Sequence, residues 1–226
     1  MSKPPTLYYA PDNASLCVRL ALLELDLPFD TKLVDRTTQG QRDLSYLALN
    51  PNGIIPTLVT DDGPIYETAA ILLWLSDHAK GGFLPPDMSR GAALSWMFWL
   101  SNTLHVALRM WFYPDKYISP DAVLALNDAT RSRLADLFGH LEVHAAWLDS
   151  PAPSVFSCYL GPMARWAGLY GPDQEWFDLS QYPRLTRYLQ AAETRASAHQ
   201  ASRAEGLGGT IFTNPSKPNP PEGSAI

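Results

Sequence analysis

Several things are scarce in this 226-residue sequence, and each scarcity excludes a class of protein. Two cysteines are too few for a disulfide-rich extracellular scaffold, and they favour a reducing, cytoplasmic compartment. No apolar run approaches the ~20 residues that span a bilayer, and the first residues lack the apolar stretch of a signal peptide. Lysine and arginine total 17 against 23 acidic residues, and this formal charge of −6 argues against nucleic acid as a partner. We therefore expect a cytoplasmic protein without a membrane or nucleic-acid partner.

The first eighty residues alternate between strand and helix patterns. With 46% hydrophobic residues the chain can build a sizeable core, and its length allows one large domain or two small ones. Residues 6–9 and 29–34 are typical of short strands, and apolar positions from residue 16 onward recur at helical spacing. The dipeptide at 62–63, Asp-Gly, joins two short apolar runs and predicts a β-hairpin, which a buried helix over 69–75 follows. The predicted order is β-α-β, a polar stretch, then β-β-α.

The second half of the chain shows only helical patterns. It follows a linker marked by Gly81-Gly82 and Pro85-Pro86. A long, aromatic-rich helix is predicted over 89–113, and Ser119-Pro120 opens another, because a capping serine precedes proline at the first helical position. Further helices are predicted downstream, so this half is expected to be a helical bundle.

These patterns divide the chain into three predicted segments. Residues 1–82 form a mixed α+β domain, and residues 88–205 form an all-helical domain. Residues 206–226 hold four prolines and four glycines among few apolar groups, which predicts a mobile tail.

A βαβ–ββα half followed by a helical half resembles the cytosolic glutathione transferases, and short motifs strengthen the likeness. Asn50-Pro-Asn-Gly-Ile-Ile-Pro56-Thr-Leu is similar to the family's segment around its cis-proline, and Glu67-Thr68-Ala-Ala-Ile-Leu to the element that opens the next helix. Tyr182-Pro-Arg-Leu and the run ending in Ala204-Glu-Gly resemble the family's last helices. The resemblance implies a thioredoxin-like N-terminal domain, glutathione as a co-substrate, no metal, and a homodimer joined through the helix over 69–75 and the long helix.

Within the family, the opening segment is most similar to the bacterial beta class. Residues 7–17 align with that class without a gap, and Thr103-Leu-His105 resembles another of its elements. Two departures stand out. Ala14 occupies the position of the reactive cysteine of the class, and Ser157 replaces the aspartate that usually pairs with Ser154 in a capping box, which predicts a weaker cap.

Glutathione needs backbone partners and anion sites, and the resemblance implies where they lie. A cis Ile55–Pro56 bond would leave the backbone of Ile55 free to pair with the cysteinyl part of glutathione like an added strand. Glu67 and Thr68 lie at a helix N-terminus, where free N–H groups attract the γ-glutamyl carboxylate and Glu67 accepts from the amine. On the residues alone, a trans proline and a routine capping pair are the simpler interpretations. For the glycyl carboxylate the alignment offers Gln39, where the class commonly has lysine.

A hydroxyl near the sulfur would favour the glutathione thiolate. Ser15 matches the serine that follows the family cysteine, and together with a helix N-terminus it would lower the thiol pKa by roughly 1–2 units. Its alternative is a helix-capping serine. Tyr9 is the competing donor, and its alternative is an inward-facing strand aromatic. Cys17 is predicted to be an inert core residue, so disulfide exchange through a protein thiol should be weak.

The helical half is expected to complete the site. By resemblance His105 points toward glutathione, although a histidine in an aromatic helix is more often a packing residue. Four residues form the predicted electrophile pocket: Arg109, Trp111, Phe112 and Tyr113. The alternatives are an exposed cation for Arg109 and core packing for the aromatic residues.

The sequence therefore predicts a glutathione transferase that ionises the glutathione thiol and directs it at an apolar electrophile. Two alternatives share the fold. One is glutathione-dependent ether cleavage or isomerisation, and the other is a binding module without enzymatic activity. The identity of the electrophile cannot be read from the sequence.

Overall fold

A computed structural model describes residues 3–79, 82–150 and 152–225. Some predicted segments extend beyond these ranges. Gly81 of the linker and the outermost residues of the first and last segments lie outside the described residues. The end of the N-terminal domain at residue 82 stays a prediction.

One four-stranded mixed sheet forms the N-terminal half, in the order β2-β1-β3-β4. The strands are β1 (Thr6–Tyr9), β2 (Asp30–Leu33), β3 (Thr57–Thr60) and β4 (Gly63–Tyr66). β1 pairs with β2 in parallel and with β3 antiparallel, where Leu7 lies opposite Leu58. β3 and β4 form the hairpin predicted at Asp62-Gly63, with Thr60 opposite Gly63. This sheet, flanked by helices, confirms the predicted thioredoxin-like fold.

Three helices accompany the sheet: α1 (Ser15–Glu24), α2 (Leu44–Leu47) and α3 (Thr68–His78). α1 is buried along its first eight residues, because it packs against α3 on one side and against the helical half on the other. A helix that is apolar all round is typical of a core position. The N-termini of α1 and α3 are therefore held by the core of the protein.

The C-terminal half is helical, as predicted. Its helices are α4 (Arg90–Trp99), α5 (His105–Phe112), α6 (Val123–His144), α7 (Val155–Leu169), α8 (Pro183–Glu193) and α9 (Ala196–Glu205). A π-helical turn, Leu100–Leu104, joins α4 to α5 within the long predicted helix. Ser154 and Ser157 form the capping box of α7, with the Ser154 amide donating to Ser157 Oγ at 3.1 Å. None of the helices in the described ranges is long and apolar enough to cross a membrane.

Residues 206–225 pack against the protein, which differs from the predicted mobile tail. Three apolar side chains of this segment are buried: Leu207, Ile211 and Phe212. The Phe212 ring lies so close to Gly161 of α7 that a Cβ there would come within 2.9 Å of it. Three backbone carbonyls of the segment accept hydrogen bonds from the Arg165 guanidinium: those of Leu207, Ile211 and Ser216. Composition predicted disorder because it could not show that a buried arginine binds the backbone of the segment.

Candidate functional site

A cavity of about 940 Å³ lies between the two halves of the protein. The cis-proline loop and the N-termini of α1 and α3 form one side, and α5 and α7 face them. Nine of the predicted site residues line it: Ile55, Pro56, Glu67, Thr68, His105, Arg109, Trp111, Phe112 and Tyr113. The other two, Ser15 and Tyr9, do not.

The cis-proline loop presents an unpaired backbone edge to the cavity. The Ile55–Pro56 bond is cis, as the resemblance implies. The carbonyl of Ile54 accepts hydrogen bonds from Tyr46 Oη and Asn50 Nδ2, both at 2.7 Å, and these hold the loop in place. Within the described ranges the backbone of Ile55 makes no hydrogen bond. Its N–H and C=O are therefore available to an extended peptide.

The N-terminus of α3 opens onto the same cavity. Glu67 caps it with φ +71, a backbone conformation that is costly for a non-glycine residue and is found most often at functional sites. The first intrahelical bond runs from the amide of Ile71 to the carbonyl of Glu67, so the amides before Ile71 remain open. Neither the Glu67 carboxylate nor the Thr68 hydroxyl has a hydrogen-bond partner in the part of the chain that the structure describes. This end of α3 can bind an anion through its amides and an amine through Glu67.

The Ser15 side chain points away from the cavity. It is fully buried, its hydroxyl donates to the carbonyl of Ala10 at 3.0 Å, and it accepts from the amide of Ala10 at 3.3 Å. The expectation that this hydroxyl faces the thiol disagrees with the structure, because both of its partners are backbone groups of the preceding loop.

Tyr9 also lies outside the cavity. Its ring is buried, 4.6 Å from the Arg19 guanidinium carbon, and its hydroxyl donates to the carboxylate of Glu222 in the C-terminal segment. Burial, together with the hydrogen bond to Glu222, raises the pKa of Tyr9 well above its usual range. The hydroxyl already has an acceptor, so the predicted role of Tyr9 as a thiol donor disagrees with the structure as well.

Asn13, and not Ser15, is the polar side chain that faces the cavity at the N-terminus of α1. It lines the cavity beside Ala14, and its Oδ1 accepts from the Ala14 amide at 2.9 Å. No partner is found for its Nδ2, or for the backbone amide of Ser15, within the described ranges. The side-chain amide of Asn13, which can donate a hydrogen bond, thus lies beside the open N-terminus of α1. The signal was present in the sequence, because asparagine just before a helix is a typical capping residue.

Asp12 holds this loop to the helical half. Its carboxylate accepts four hydrogen bonds of 2.6 to 2.9 Å from three side chains: Arg165, Trp166 and Tyr170. Its amide donates to Glu205 at 2.8 Å, and Glu205 in turn pairs with Arg19 at 2.7 Å. Burial raises the pKa of Glu205 to about 7, although Arg19 acts in the opposite direction. The loop is therefore fixed through both the backbone amide and the carboxylate of Asp12.

His105 lies at the start of α5, directly after the π-helical turn. Such turns are frequent at functional sites. Its Nδ1 lies 3.0 Å from the hydroxyl of Tyr159, and its ring packs against Trp166. Burial, with a smaller contribution from Arg109, lowers the pKa of His105 to about 4, so the imidazole is neutral at physiological pH. A neutral ring can hydrogen-bond a ligand without adding charge.

The aromatic residues predicted for the electrophile pocket divide between wall and core. Trp111 is 2% exposed, and Gly171 packs against its indole nitrogen so closely that a Cβ would lie 2.1 Å away. The rings of Phe112 and Tyr113 are half-buried at the cavity surface, with Tyr170 edge-on to Phe112. These rings offer an apolar surface to a ligand.

Four cationic side chains line the cavity: Arg36, Arg42, Arg109 and Lys116. Gln39, which the alignment offered for the glycyl carboxylate, is exposed and does not line it, whereas its neighbours Gln41 and Arg42 do. The Arg42 Nη1 lies 3.0 Å from where a Cβ of Gly53 would be, so this guanidinium rests against the cis-proline loop.

Both cysteines lie in the core of the protein. Cys17 and Cys158 are buried, and burial raises the pKa of both thiols. No group of three or more histidine, cysteine, aspartate or glutamate side chains in those ranges could hold a metal ion. Cys17 is a core residue, as predicted.

Comparison with known proteins identifies the family. Residues 14–78 match the family described as the glutathione S-transferase N-terminal domain. Over 208 residues the chain is 30% identical to a glutathione S-transferase of Xanthomonas campestris, and the match covers 89% of this chain and 98% of that protein. The chain belongs to the glutathione S-transferase family.

Solved structures agree with this assignment. A glutathione transferase homolog from Sulfitobacter with bound glutathione superposes on this transferase with a TM-score of 0.75, at 26% identity, covering 88% of this chain and 97% of that one. A beta-class glutathione S-transferase of Sphingomonas chungbukensis gives a TM-score of 0.71 at 28% identity, covering 90% and 100%. The family and the fold predicted for this glutathione S-transferase are confirmed.

Proposed function

We propose that this glutathione S-transferase binds glutathione along the Ile55–Pro56 segment and ionises its thiol for attack on an electrophile. The observation that carries the proposal is the unpaired backbone of Ile55, which shares one cavity with the open N-terminus of α3. The bound glutathione of the Sulfitobacter structure supports it, because that protein has the same fold. Glutathione acts as a co-substrate, and the chemistry needs no metal.

Each part of glutathione has a partner in this arrangement. The γ-glutamyl carboxylate binds the α3 amides and the Thr68 hydroxyl, and the amine binds Glu67. The cysteinyl N–H and C=O pair with Ile55 like an added strand. The glycyl carboxylate binds Arg42, which lies against the same loop, in place of the unsuitable Gln39.

The thiolate is stabilised by Asn13 and by the N-terminus of α1. The Asn13 Nδ2 and the Ser15 amide are donors without partners in the described ranges, and the helix dipole favours a negative charge at this end. Such a site lowers the thiol pKa by roughly 1–2 units. The Ser15 hydroxyl supports the loop through Ala10, and neutral His105 lies across the cavity as a further hydrogen-bonding group for glutathione.

The electrophile binds between glutathione and α5. Its apolar body packs on Phe112 and Tyr113, and the thiolate forms a carbon–sulfur bond while the leaving group departs with its electron pair. Ionisation of the thiol and proximity of the electrophile supply the rate enhancement.

We also propose that the protein is a homodimer in the cytoplasm. Phe98 on α4 is 53% exposed and Tyr66 at the end of β4 is 37% exposed, so both rings offer apolar surface to a second copy of the chain. The family resemblance implies an interface through α3 and the long helix that begins with α4.

Calorimetric titration of glutathione tests the binding site. We expect Thr68→Val to weaken binding about tenfold, because it removes a hydrogen bond to a charged group. Thr194→Val is the matched control, since Thr194 is exposed and its hydroxyl donates to the carbonyl of Ala191 in the preceding helix. Absence of glutathione binding in the wild-type protein would contradict the proposal. Binding without turnover of chlorodinitrobenzene and other electrophiles would instead favour the non-enzymatic module.

A further inference from the structure

Three cations on the α5 side of the cavity lack a carboxylate partner within the described ranges: Arg36, Arg109 and Lys116. The Arg109 guanidinium makes no hydrogen bond or ion pair there. Arg36 donates to the Tyr113 hydroxyl at 3.3 Å and to the carbonyl of Ala225. The Lys116 Nζ lies 4.2 Å from the centre of the Tyr113 ring. Tyr113 therefore stands between two cations, and Arg109 lies one helical turn before it.

The acidic groups of the cavity do not neutralise this cluster. Asp12 is saturated by four hydrogen bonds, two of them from the buried Arg165. Glu67 is at the N-terminus of α3, where the amine of glutathione is proposed to bind. The protein as a whole carries a formal charge of −6, so a positive cavity wall is a local feature rather than a consequence of composition.

Cations in a partly buried wall lose hydration without a compensating partner. Arg109 is half-buried and its guanidinium has no partner in the described ranges, so a bound anion would restore the interactions that it lost with water. Arg36 is also half-buried, and its partners are a hydroxyl and a carbonyl that leave its charge unneutralised. The guanidinium fork matches a carboxylate, and the neighbouring rings of Phe112 and Tyr113 match an apolar body. The wall thus fits a molecule that carries both a carboxylate and an apolar body.

We propose that the co-substrate of this transferase carries a carboxylate, bound by Arg109 together with Arg36 and Lys116, next to the body that packs on the aromatic rings. The inference rests on the proposed function. In the reaction the glutathione thiolate attacks the carbon that bears the leaving group, the carbon–sulfur bond forms as the bond to the leaving group breaks, and the leaving group departs with the electron pair. The carboxylate is unchanged and serves only for binding.

Two conjugates that differ only in the acid group test the proposal: S-(para-carboxybenzyl)glutathione and S-benzylglutathione. Calorimetry on the wild-type protein should give a dissociation constant about tenfold lower for the carboxylated conjugate. Arg109→Met keeps an unbranched apolar stem and removes the guanidinium with its charge, so this ratio should fall close to one. Arg133→Met, which removes an exposed arginine outside the cavity, should leave the ratio unchanged.

Equal affinities of the two conjugates for the wild-type protein overturn the inference and leave the proposed glutathione site intact. An advantage that persists in Arg109→Met also overturns it. Failure of both conjugates to bind removes the proposed function and the inference together. Glutathione disulfide distinguishes the source of the carboxylate. If the disulfide binds more tightly than the carboxybenzyl conjugate, and Arg109→Met weakens the binding of both by the same factor, the wall binds a carboxylate of a second glutathione.

Discussion

Replacement of Asn13 by alanine separates the two candidate thiol donors. In the part of the chain that the structure describes, Asn13 Nδ2 is a side-chain donor without a partner at the N-terminus of α1, whereas the Ser15 hydroxyl is occupied by the backbone of Ala10. A hydrogen bond to a charged group contributes about 1.5–3 kcal/mol, and one pKa unit corresponds to about 1.4 kcal/mol. Asn13→Ala should therefore raise the pKa of bound glutathione by about one unit, read from the ultraviolet absorbance of the thiolate during a pH titration.

Ser15→Ala should behave differently. The thiol pKa stays near the wild-type value because the helix N-terminus and Asn13 remain. The protein loses roughly 1–3 kcal/mol of unfolding free energy, because the backbone of Ala10 is left unsatisfied in the core. Asn214→Ala, at an exposed position of the packed C-terminal segment, is the control for both measurements. A raised thiol pKa in Ser15→Ala together with an unchanged one in Asn13→Ala would refute the reasoning.

Three further predictions concern the pH response, the C-terminal segment and assembly. The pKa of His105 falls from 6.5 to about 4 in the folded protein, so the unfolded chain binds the proton first and stability is lost as the pH falls through this window. Between pH 7 and pH 5, urea unfolding should show roughly 2 kcal/mol more loss of unfolding free energy for the wild type than for His105→Gln. The exposed variant His199→Gln should lose as much as the wild type, and parallel curves for the wild type and His105→Gln would contradict this. Phe212→Ala should lower the unfolding free energy by about 3–5 kcal/mol in a denaturant titration. If the C-terminal segment were mobile, the unfolding free energy of this variant would hardly change. In light scattering Phe98→Glu should convert a dimer to a monomer, and Leu124→Glu, which alters an exposed leucine on α6, should not; a dimer in both variants would argue against the proposed interface.

Local signals explain why so much of the fold could be predicted. Alternation over 6–9 and the Asp62-Gly63 turn depend only on neighbouring residues, and the observed strands and hairpin follow them. The cis Ile55–Pro56 bond and the Glu67-Thr68 junction could be predicted because whole motifs carry them. The helical order of the second half follows from spacing in the same way.

Side-chain direction within the first turn of α1 could not be predicted. Asn13, Ala14 and Ser15 are consecutive, and the sequence places all three at the start of a helix. Which of them faces the cavity depends on how the loop is rotated, and the partners that fix this rotation are distant in sequence. Asp12 pairs with Arg165, 153 positions away, and no local pattern marks such a contact.

The same long-range contact explains the misjudged C-terminal segment. Arg165 is fully buried in α7, and its guanidinium binds the Asp12 carboxylate on one side and backbone carbonyls of residues 207–216 on the other. A buried charge is tolerated only when its hydrogen-bonding capacity is filled, and neither partner alone fills it. One arginine therefore makes the position of the loop that carries Asn13 depend on the packing of the C-terminal segment. The end of the cavity where we propose that the thiol binds takes its shape only when both halves of the chain and this segment have assembled around that side chain.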